Sequence, residues 1–169
     1  MQRRWGVTAV LVCLLAAMAG AVPAAQAKPG DEAAIRALYT RFSDAFVRKD
    51  SDAIMTVYAP DVFVFDVIPP RQYVGADAYK KDWDDTFATM PGPVTATIKE
   101  LGIAVAGPVA YTHYVVDGTM TDKDGKPMHL VVRSTDVLRK TNGKWLIVQE
   151  HNSFPVDLGT GQADMLSKQ

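Results

Sequence analysis

The sequence predicts an α+β fold in which a curved antiparallel sheet wraps around three N-terminal helices. Two observations lead to this prediction. Apolar residues recur at helical spacing in the first half of the chain, whereas the second half alternates β-rich runs with turn signals. At 169 residues, with 48% hydrophobic and 22% charged content, the chain has the size and composition of one globular domain.

The first predicted helix covers residues 31–49. Its apolar side chains recur every three or four residues and so form one face, which consists of Ile35, Leu38, Phe42, Ala45 and Phe46. A second, short helix is predicted after Asp50, because Asp50, Ser51 and Asp52 offer oxygens that cap a helix N-terminus. Pro60 is expected to end it.

A short strand and a third helix complete the first half. Residues 62–67 are rich in β-branched and aromatic side chains, which favours a strand. Gly75 precedes a segment in which Tyr79, Trp83 and Phe87 recur every four residues, and Pro91 follows it. We therefore predict a helix between Gly75 and Pro91.

Four longer strands are predicted in the second half, at about 94–105, 109–120, 128–139 and 144–154. The segments between them carry Gly, Pro, Asn and Asp, the residues typical of turns. No internal repeat or linker interrupts the series. We predict one domain over residues 28–158 and a flexible tail over residues 159–169, which is rich in glycine and polar residues.

Residues 1–27 have the pattern of a secretory signal peptide. Arg3 and Arg4 are followed by an apolar stretch, and Ala25-Gln26-Ala27 is a small-x-small cleavage site. We therefore expect a periplasmic or secreted protein with no membrane association after cleavage. The only cysteine, Cys13, lies inside the signal, so the mature domain has no disulfide.

The charge pattern argues against nucleic-acid binding. The full chain has 18 basic and 19 acidic residues, and cleavage after Ala27 leaves 16 basic residues against 19 acidic ones, a charge near −3. No run of Lys or Arg remains to form the basic surface that nucleic acids require. We expect no nucleic-acid partner.

The order and spacing of four short motifs carry a family resemblance. They are Arg-Lys-Asp-Ser-Asp-Ala-Ile between the first two helices, Tyr-Ala-Pro-Asp before the first strand, Gly75 before the third helix, and Asn-Gly-Lys-Trp in the last turn. With this layout, residues 31–157 resemble the SnoaL-like, nuclear-transport-factor-2-like superfamily. That resemblance implies a cone-shaped scaffold, which hosts isomerases, dehydratases, cyclases, binding modules and oligomerisation domains.

The ketosteroid isomerase branch of this superfamily suggests two site residues. Its catalytic base corresponds to Asp66 at the end of the first strand, and its oxyanion-hole aspartate corresponds to Asp136. Its helix-one tyrosine would fall at Phe42, which has no hydroxyl. The resemblance therefore implies that the oxyanion hole of that enzyme is incomplete in this chain, so ketosteroid isomerisation itself is not expected.

The final hairpin is similar to that of the association domain of calmodulin-dependent protein kinase. Pocket positions of that branch correspond to His113, Asp136 and Asn152, which replace arginines and make the pocket much less cationic. The resemblance therefore implies a small hydrophobic ligand that is neutral or basic.

Strand alternation divides the polar residues of the last two strands between two faces. If the resemblance places Asp136 inside the cone, then Glu150 and Asn152 also point inward, whereas Arg133 and His151 point outward. A bulge in the last strand would move the side chains on one side of the bulge to the other face of the sheet. We expect the outer face, with Arg133, Thr135, Trp145, Gln149 and His151, to form a homodimer interface. On the inner side, we expect a cavity whose walls are formed by Phe42, Tyr58, Tyr79 and Trp83.

The polar residues of this predicted cavity suggest acid–base chemistry. Carboxyl groups that share an apolar cavity repel one another, which raises the pKa of at least one of them. We hypothesise that Asp66 acts as a base and that His113 or Asp136 acts as an acid on a small organic molecule, in an isomerase, dehydratase or hydrolase reaction. The alternative is a non-catalytic binding or oligomerisation module, in which Asp66 caps the Pro69-Pro70 loop and His113 bonds a tyrosine.

No metal or cofactor is predicted. His113, His129 and His151 lie on separate segments without the spacing of metal ligands. We therefore expect cofactor-independent chemistry, if the domain is an enzyme.

Overall fold

The computed structural model describes residues 28–166, so the predicted signal peptide at 1–27 lies outside the described residues. The helices are α1 (Asp31–Val47), α2 (Ser51–Met55) and α3 (Ala76–Thr89). The strands are β1 (Tyr58–Phe65), β2 (Tyr73–Val74), β3 (Val94–Ala106), β4 (Val109–Thr121), β5 (Pro127–Thr141) and β6 (Lys144–Ser153). This is the predicted α+β fold, in which three helices pack on a curved, unclosed sheet.

The second helix is shorter than predicted, and the first strand begins earlier. Asp50 caps α2 as expected, since its carboxylate accepts the Ala53 N–H at 2.9 Å. The helix ends at Met55, however, and Tyr58 already belongs to β1. Pro60 lies inside this strand. Pairing with β6 is interrupted there, between Tyr58, which is opposite Ile147, and Phe63, which is opposite Gln149. A proline is tolerated there because no regular ladder hydrogen bond is required of it.

The six strands form one sheet in the order β2-β1-β6-β5-β4-β3. β1 runs parallel to β6, and all other neighbours are antiparallel. The long hairpins follow the predicted turns. At the last turn, Asn142 and Gly143 both have positive φ, 51° and 79°, the conformation that a tight two-residue hairpin requires.

A bulge in β6 changes which residues face the helices. Val137 is paired with Gln149 and Leu138 with Ile147, so Val148 is the extra residue. Trp145 and Ile147 consequently lie on the same face as Glu150, and both are buried. The prediction that Trp145 belongs to the outer face is therefore wrong, because that prediction assumed regular alternation throughout the strand.

The described part of the tail makes backbone contacts with itself and with the sheet. After β6 the chain turns back on itself, with a β-bridge between Val156 and Ala163. The Val131 N–H then donates to the carbonyl of Met165 at 2.7 Å. These backbone bonds attach the described part of the tail, up to residue 166, to β5.

The core lies between the helices and the inner face of the sheet. Its fully buried members include Ile35 and Leu38 of α1, Val62 of β1 and Leu138 of β5, all 0% exposed. An aromatic cluster from α1 and α3 adjoins this core. Within residues 28–166, no helix combines the length and hydrophobicity needed to cross a membrane.

Candidate functional site: a cavity with a carboxyl–tyrosine network

A cavity of about 230 Å³ lies between α1, α3 and the inner face of β4–β6. Most of its wall is apolar. The apolar part consists of Phe42, Phe46, Val67, Ile68, Trp83, Met90, Val116, Met120, Met128, Leu130 and Val132. Its polar part is small and includes Asp66, Asp82, Ser134, Glu150 and Asn152. Such a site, mainly hydrophobic with a few convergent polar groups, is typical of small-molecule binding.

Pairing between β5 and β6 brings two rows of polar side chains to the inner face. Asp136 is directly opposite Glu150, and Ser134 is opposite Asn152. The Ser134 hydroxyl donates to the Asn152 side-chain oxygen at 2.6 Å. Glu150 and Asn152 therefore face inward, as strand alternation predicts from Asp136, since the bulge at Val148 lies before both.

Three neutral donors hold the Glu150 carboxyl. Tyr58 donates to Oε2 at 2.6 Å, and Tyr79 and Asn152 each donate to Oε1 at 2.7 Å. Burial raises the pKa of Glu150, and these hydrogen bonds partly oppose that shift. Tyr58 and Tyr79 thus support the polar end of the cavity from behind rather than forming its wall.

Asp136 is 0% exposed and lies behind the cavity wall. Its Oδ2 accepts hydrogen bonds from Tyr39 at 2.6 Å and from Tyr114 at 3.1 Å, while Oδ1 has no partner among residues 28–166. Burial, followed by the charge of Glu150, raises the pKa of Asp136 well above its ordinary value. A neutral Asp136 fits this environment best, because an unpaired buried carboxylate oxygen is costly.

Tyr39 and Tyr114 supply the hydroxyls that the resemblance did not find at Phe42. Tyr39 lies three residues before Phe42, so both point from α1 toward the sheet. Phe42 instead forms part of the cavity wall. Phe42 has no hydroxyl, as the resemblance implied, but Asp136 does have two tyrosine partners, one of which comes from α1.

Asp66 lies at the cavity wall, one residue beyond the end of β1. Its Oδ1 accepts the N–H of Val67, and its Oδ2 accepts the Tyr79 hydroxyl at 3.0 Å. Burial, with a smaller contribution from the charge of Glu150, raises the pKa of Asp66 to about 6. This carboxyl therefore changes its protonation state near neutral pH.

Tyr79 connects Asp66 to Glu150. Its hydroxyl lies 3.0 Å from Asp66 Oδ2 and 2.7 Å from Glu150 Oε1, but it has only one proton. When Glu150 accepts that proton, a neutral Asp66 supplies its own proton to the tyrosine oxygen. The two carboxyls are thus linked by a hydrogen-bonded path along which a proton can be exchanged.

Sequence reasoning missed Asp82. This residue of α3 lines the cavity and accepts the Tyr73 hydroxyl at 2.6 Å. Burial raises its pKa to about 6. The sequence held a signal for it, because Asp82 falls three residues after Tyr79 and next to Trp83, within the apolar stripe of the helix.

The prediction that His113 joins the cavity is wrong. Its neighbours Thr112 and Tyr114 point inward, since Thr112 is opposite Asp136, so His113 lies on the outer face. There its exposed ring packs over Gly102. Arg133 and His151 are also on the outer face and exposed, as alternation predicted.

Metal binding has no support in the described residues. Within 28–166, no group of three or more His, Cys, Asp and Glu side chains is arranged to hold a metal ion.

Comparisons with known proteins show the family and the fold. A family model for the SnoaL-like domain matches residues 35–157. The curated proteins contain no match to this sequence.

Solved structures share the fold. A nuclear-transport-factor-2-like protein of unknown function from Pseudomonas putida is 28% identical, with a TM-score of 0.77 over 85% of this chain and 100% of its own. A ketosteroid isomerase-like protein from Erwinia carotovora is 25% identical, with a TM-score of 0.63 over 72% of this chain and 93% of its own. A proposed aromatic ring hydroxylase from Novosphingobium aromaticivorans is 21% identical and matches in fold, with a TM-score of 0.70 over 78% of this chain and 94% of its own. The family match covers most of the described chain, and on that ground the protein belongs to the SnoaL-like domain family, with a nuclear-transport-factor-2-like fold.

Proposed function

We propose that this domain catalyses proton transfer on a small hydrophobic molecule bound in the cavity, with Asp66 as the general base. The single observation that carries the proposal is the environment of Asp66. It is a carboxyl on the wall of a mainly apolar cavity, and its pKa is raised to about 6. A base with a pKa near the working pH is both ionised and basic enough to accept a proton.

The proposed reaction returns the proton to the same molecule. A C–H bond next to a carbonyl breaks, its proton passes to the Asp66 carboxylate, and the electron pair remains on the substrate as an enolate. Neutral Asp66 then gives the proton to another carbon, which isomerises the substrate, or to a leaving hydroxyl, which dehydrates it. The Tyr79 hydroxyl stabilises the ionised form of Asp66 by donating to Oδ2, whereas the charge of Glu150 favours the protonated form.

The name of one structural relative supports this reaction class. The relative from Erwinia carotovora is called ketosteroid isomerase-like, and isomerisation of that kind moves a proton between carbons. The support is limited to the class of chemistry, because one fold hosts many activities.

A non-catalytic ligand-binding module is the second candidate. The observation that favours it is the satisfied state of the carboxyls, since both oxygens of Asp66 and both of Glu150 already have donors within the protein. In that case the cavity would hold a ligand without acting on it.

Hydrogen–deuterium exchange tests the proposal without knowledge of the natural substrate. The protein is incubated in D₂O with 2-tetralone, a small ketone with acidic C–H bonds, and deuterium uptake is followed by NMR. We expect uptake with the wild type and its loss in Asp66→Asn. His113→Asn is the matched control, because His113 lies on the outer face, and it should leave uptake unchanged.

Two results would count against catalysis. Equal uptake with the wild type and Asp66→Asn would remove Asp66 from the mechanism. Saturable binding of 2-tetralone without uptake by the wild type would favour the binding module.

We also propose that the domain is exported and forms a homodimer through the outer face of the sheet. Residues 1–27 support export. For the dimer, the support is a row across four strands, in which Phe65 is paired with His151, His151 with Thr135, and Thr135 with His113. Phe65 and Tyr111 on this face are 37% and 54% exposed. Sedimentation equilibrium of the mature protein tests the association.

A further inference from the structure

We infer that the ligand of this cavity carries a positively charged amine, which binds between Asp66 and Asp82 against the aromatic wall. The inference rests on the proposed function in that it concerns the same cavity, and it specifies the class of molecule that the cavity holds.

The charge of the cavity favours a cation. Its lining contains three carboxyls, those of Asp66, Asp82 and Glu150, and among the described residues it contains no Lys, Arg or His. An anionic ligand would meet these carboxyls without a positive side chain in the lining, since Lys81, which acts on Asp82 from outside the cavity, is paired with Asp85. An ammonium group would instead supply the opposite charge that they lack.

Asp82 has an acceptor available for such a ligand. The residue is only 8% exposed, and its Oδ1 accepts the Tyr73 hydroxyl at 2.6 Å. No hydrogen bond within residues 28–166 reaches Oδ2, and the protein does not enclose this oxygen, so a ligand can donate to it. An ammonium offers three N–H groups for this purpose.

The aromatic wall suits the same charge. The Trp83 ring stands nearly perpendicular to Phe46, with centroids 5.6 Å apart, and Phe42 lies 6.1 Å from it at 68°. All three side chains line the cavity beside the carboxyl groups. Aromatic faces attract cations electrostatically, and tryptophan does so most strongly.

The cavity lining offers different partners to the charged and the apolar parts of a ligand. A depression outside the cavity shares Ile68, Asp82, Thr86 and Thr89 with it, so Asp82 stands where the two meet. The apolar part of the lining includes Met90, Met120 and Met128, flexible side chains that adapt to irregular apolar shapes. An arylalkyl amine matches this division.

Calorimetric titration with three matched probes tests the inference. Phenethylammonium, 2-phenylethanol and phenylacetate share a phenyl ring and differ mainly in charge. At pH 7.5 we expect phenethylammonium to bind about tenfold or more tightly than the alcohol, a ratio within reach of one partly desolvated cation contact. Phenylacetate should bind most weakly.

The pH dependence follows from the carboxyls that face the ligand. The pKa values of Asp66 and Asp82 are both raised to about 6, so both are largely ionised at pH 7.5 and largely protonated at pH 4.5. The pKa of the neighbouring Glu150 is raised as well. The preference for the ammonium probe over the alcohol should therefore disappear at pH 4.5.

Two variants of α3 make the test specific. Asp82→Asn should reduce the affinity for phenethylammonium and leave that for 2-phenylethanol unchanged. Asp77→Asn, in the first turn of the same helix, removes an exposed carboxylate that lines neither the cavity nor the depression, and it should change neither affinity.

Three results would overturn the inference: equal affinity for the ammonium and the alcohol at pH 7.5, tighter binding of phenylacetate, or no binding of any probe. A loss of ammonium affinity that is the same in Asp82→Asn and Asp77→Asn would also overturn it. These measurements follow binding alone, so they separate this inference from the proton-transfer proposal, which depends on deuterium uptake.

Discussion

Replacing Asp66 with asparagine should stabilise the fold at neutral pH while it removes proton transfer. The reason is the cost of ionising a carboxyl in this cavity. The pKa of Asp66 is raised from 3.8 to about 6. At 1.36 kcal/mol per unit, a shift of this size corresponds to roughly 3 kcal/mol that the folded chain loses when Asp66 ionises.

The sign of the effect depends on pH. Between about pH 4 and about pH 6, the folded chain retains a proton that the unfolded chain has released, so the free energy of unfolding falls as pH rises. Below this window Asp66 is neutral in both states and carries no penalty. Above it the whole penalty is present, and asparagine avoids it because it does not ionise.

The substitution also fits the local hydrogen bonds. The asparagine oxygen can accept the Val67 N–H as the carboxylate does. Its amide group can donate to the Tyr79 oxygen, which leaves the tyrosine proton for Glu150. The Val67 N–H and the Tyr79 hydroxyl therefore both keep a partner in the variant.

Urea unfolding of the wild type and Asp66→Asn at about pH 4 and pH 7.5 checks this prediction. The gain in unfolding free energy should be larger at pH 7.5 by about 2–3 kcal/mol. Asp44→Asn, on the exposed surface of α1, controls for the loss of one negative charge. The reasoning is refuted if the gain is the same at both pH values or if the variant is less stable than the wild type at pH 7.5.

Two further substitutions probe the surroundings of the cavity. Tyr58→Phe should destabilise the fold by about 1–3 kcal/mol in urea unfolding, because it deletes a 2.6 Å donor to buried Glu150, and unchanged stability would show that this bond contributes nothing. Gly102→Ala should cost at most about 1 kcal/mol, because the added methyl would overlap the exposed His113 ring, which can rotate away, and His113→Ala in the same chain should recover most of that loss. If the double variant is as unstable as Gly102→Ala, the His113 ring is not the cause.

Strand boundaries could be predicted because turn chemistry is local. The four long strands end within two residues of their predicted positions, since each is bounded by residues that favour turns, such as Asn142 and Gly143. β1 was misjudged at its start because Pro60 suggested the end of a helix. In the fold it lies in a strand where pairing with β6 is irregular.

The candidate site was only partly predictable. Alternation shows which residues of one strand share a face, but it does not show which residues of neighbouring strands lie opposite each other. Glu150 and Asn152 follow Asp136 inward across β5 and β6. His113 could be placed only with the register of β4 against β5, which pairs Asp136 with Thr112. Both Tyr39 and Phe42 are on the inner face of α1, and only the packed structure decides that Tyr39 reaches Asp136.

The sequence by itself determined the order of the helices and strands, and it marked Asp66, Asp136 and Glu150 as carboxyls within apolar runs. Those properties depend on neighbours along the chain. Only the tertiary structure decided which carboxyls line the cavity, how Tyr79 joins two of them, and that Asp82 belongs with them. Burial and hydrogen bonding between distant segments set these pKa values, so the chemistry of the cavity exists only after the chain has folded.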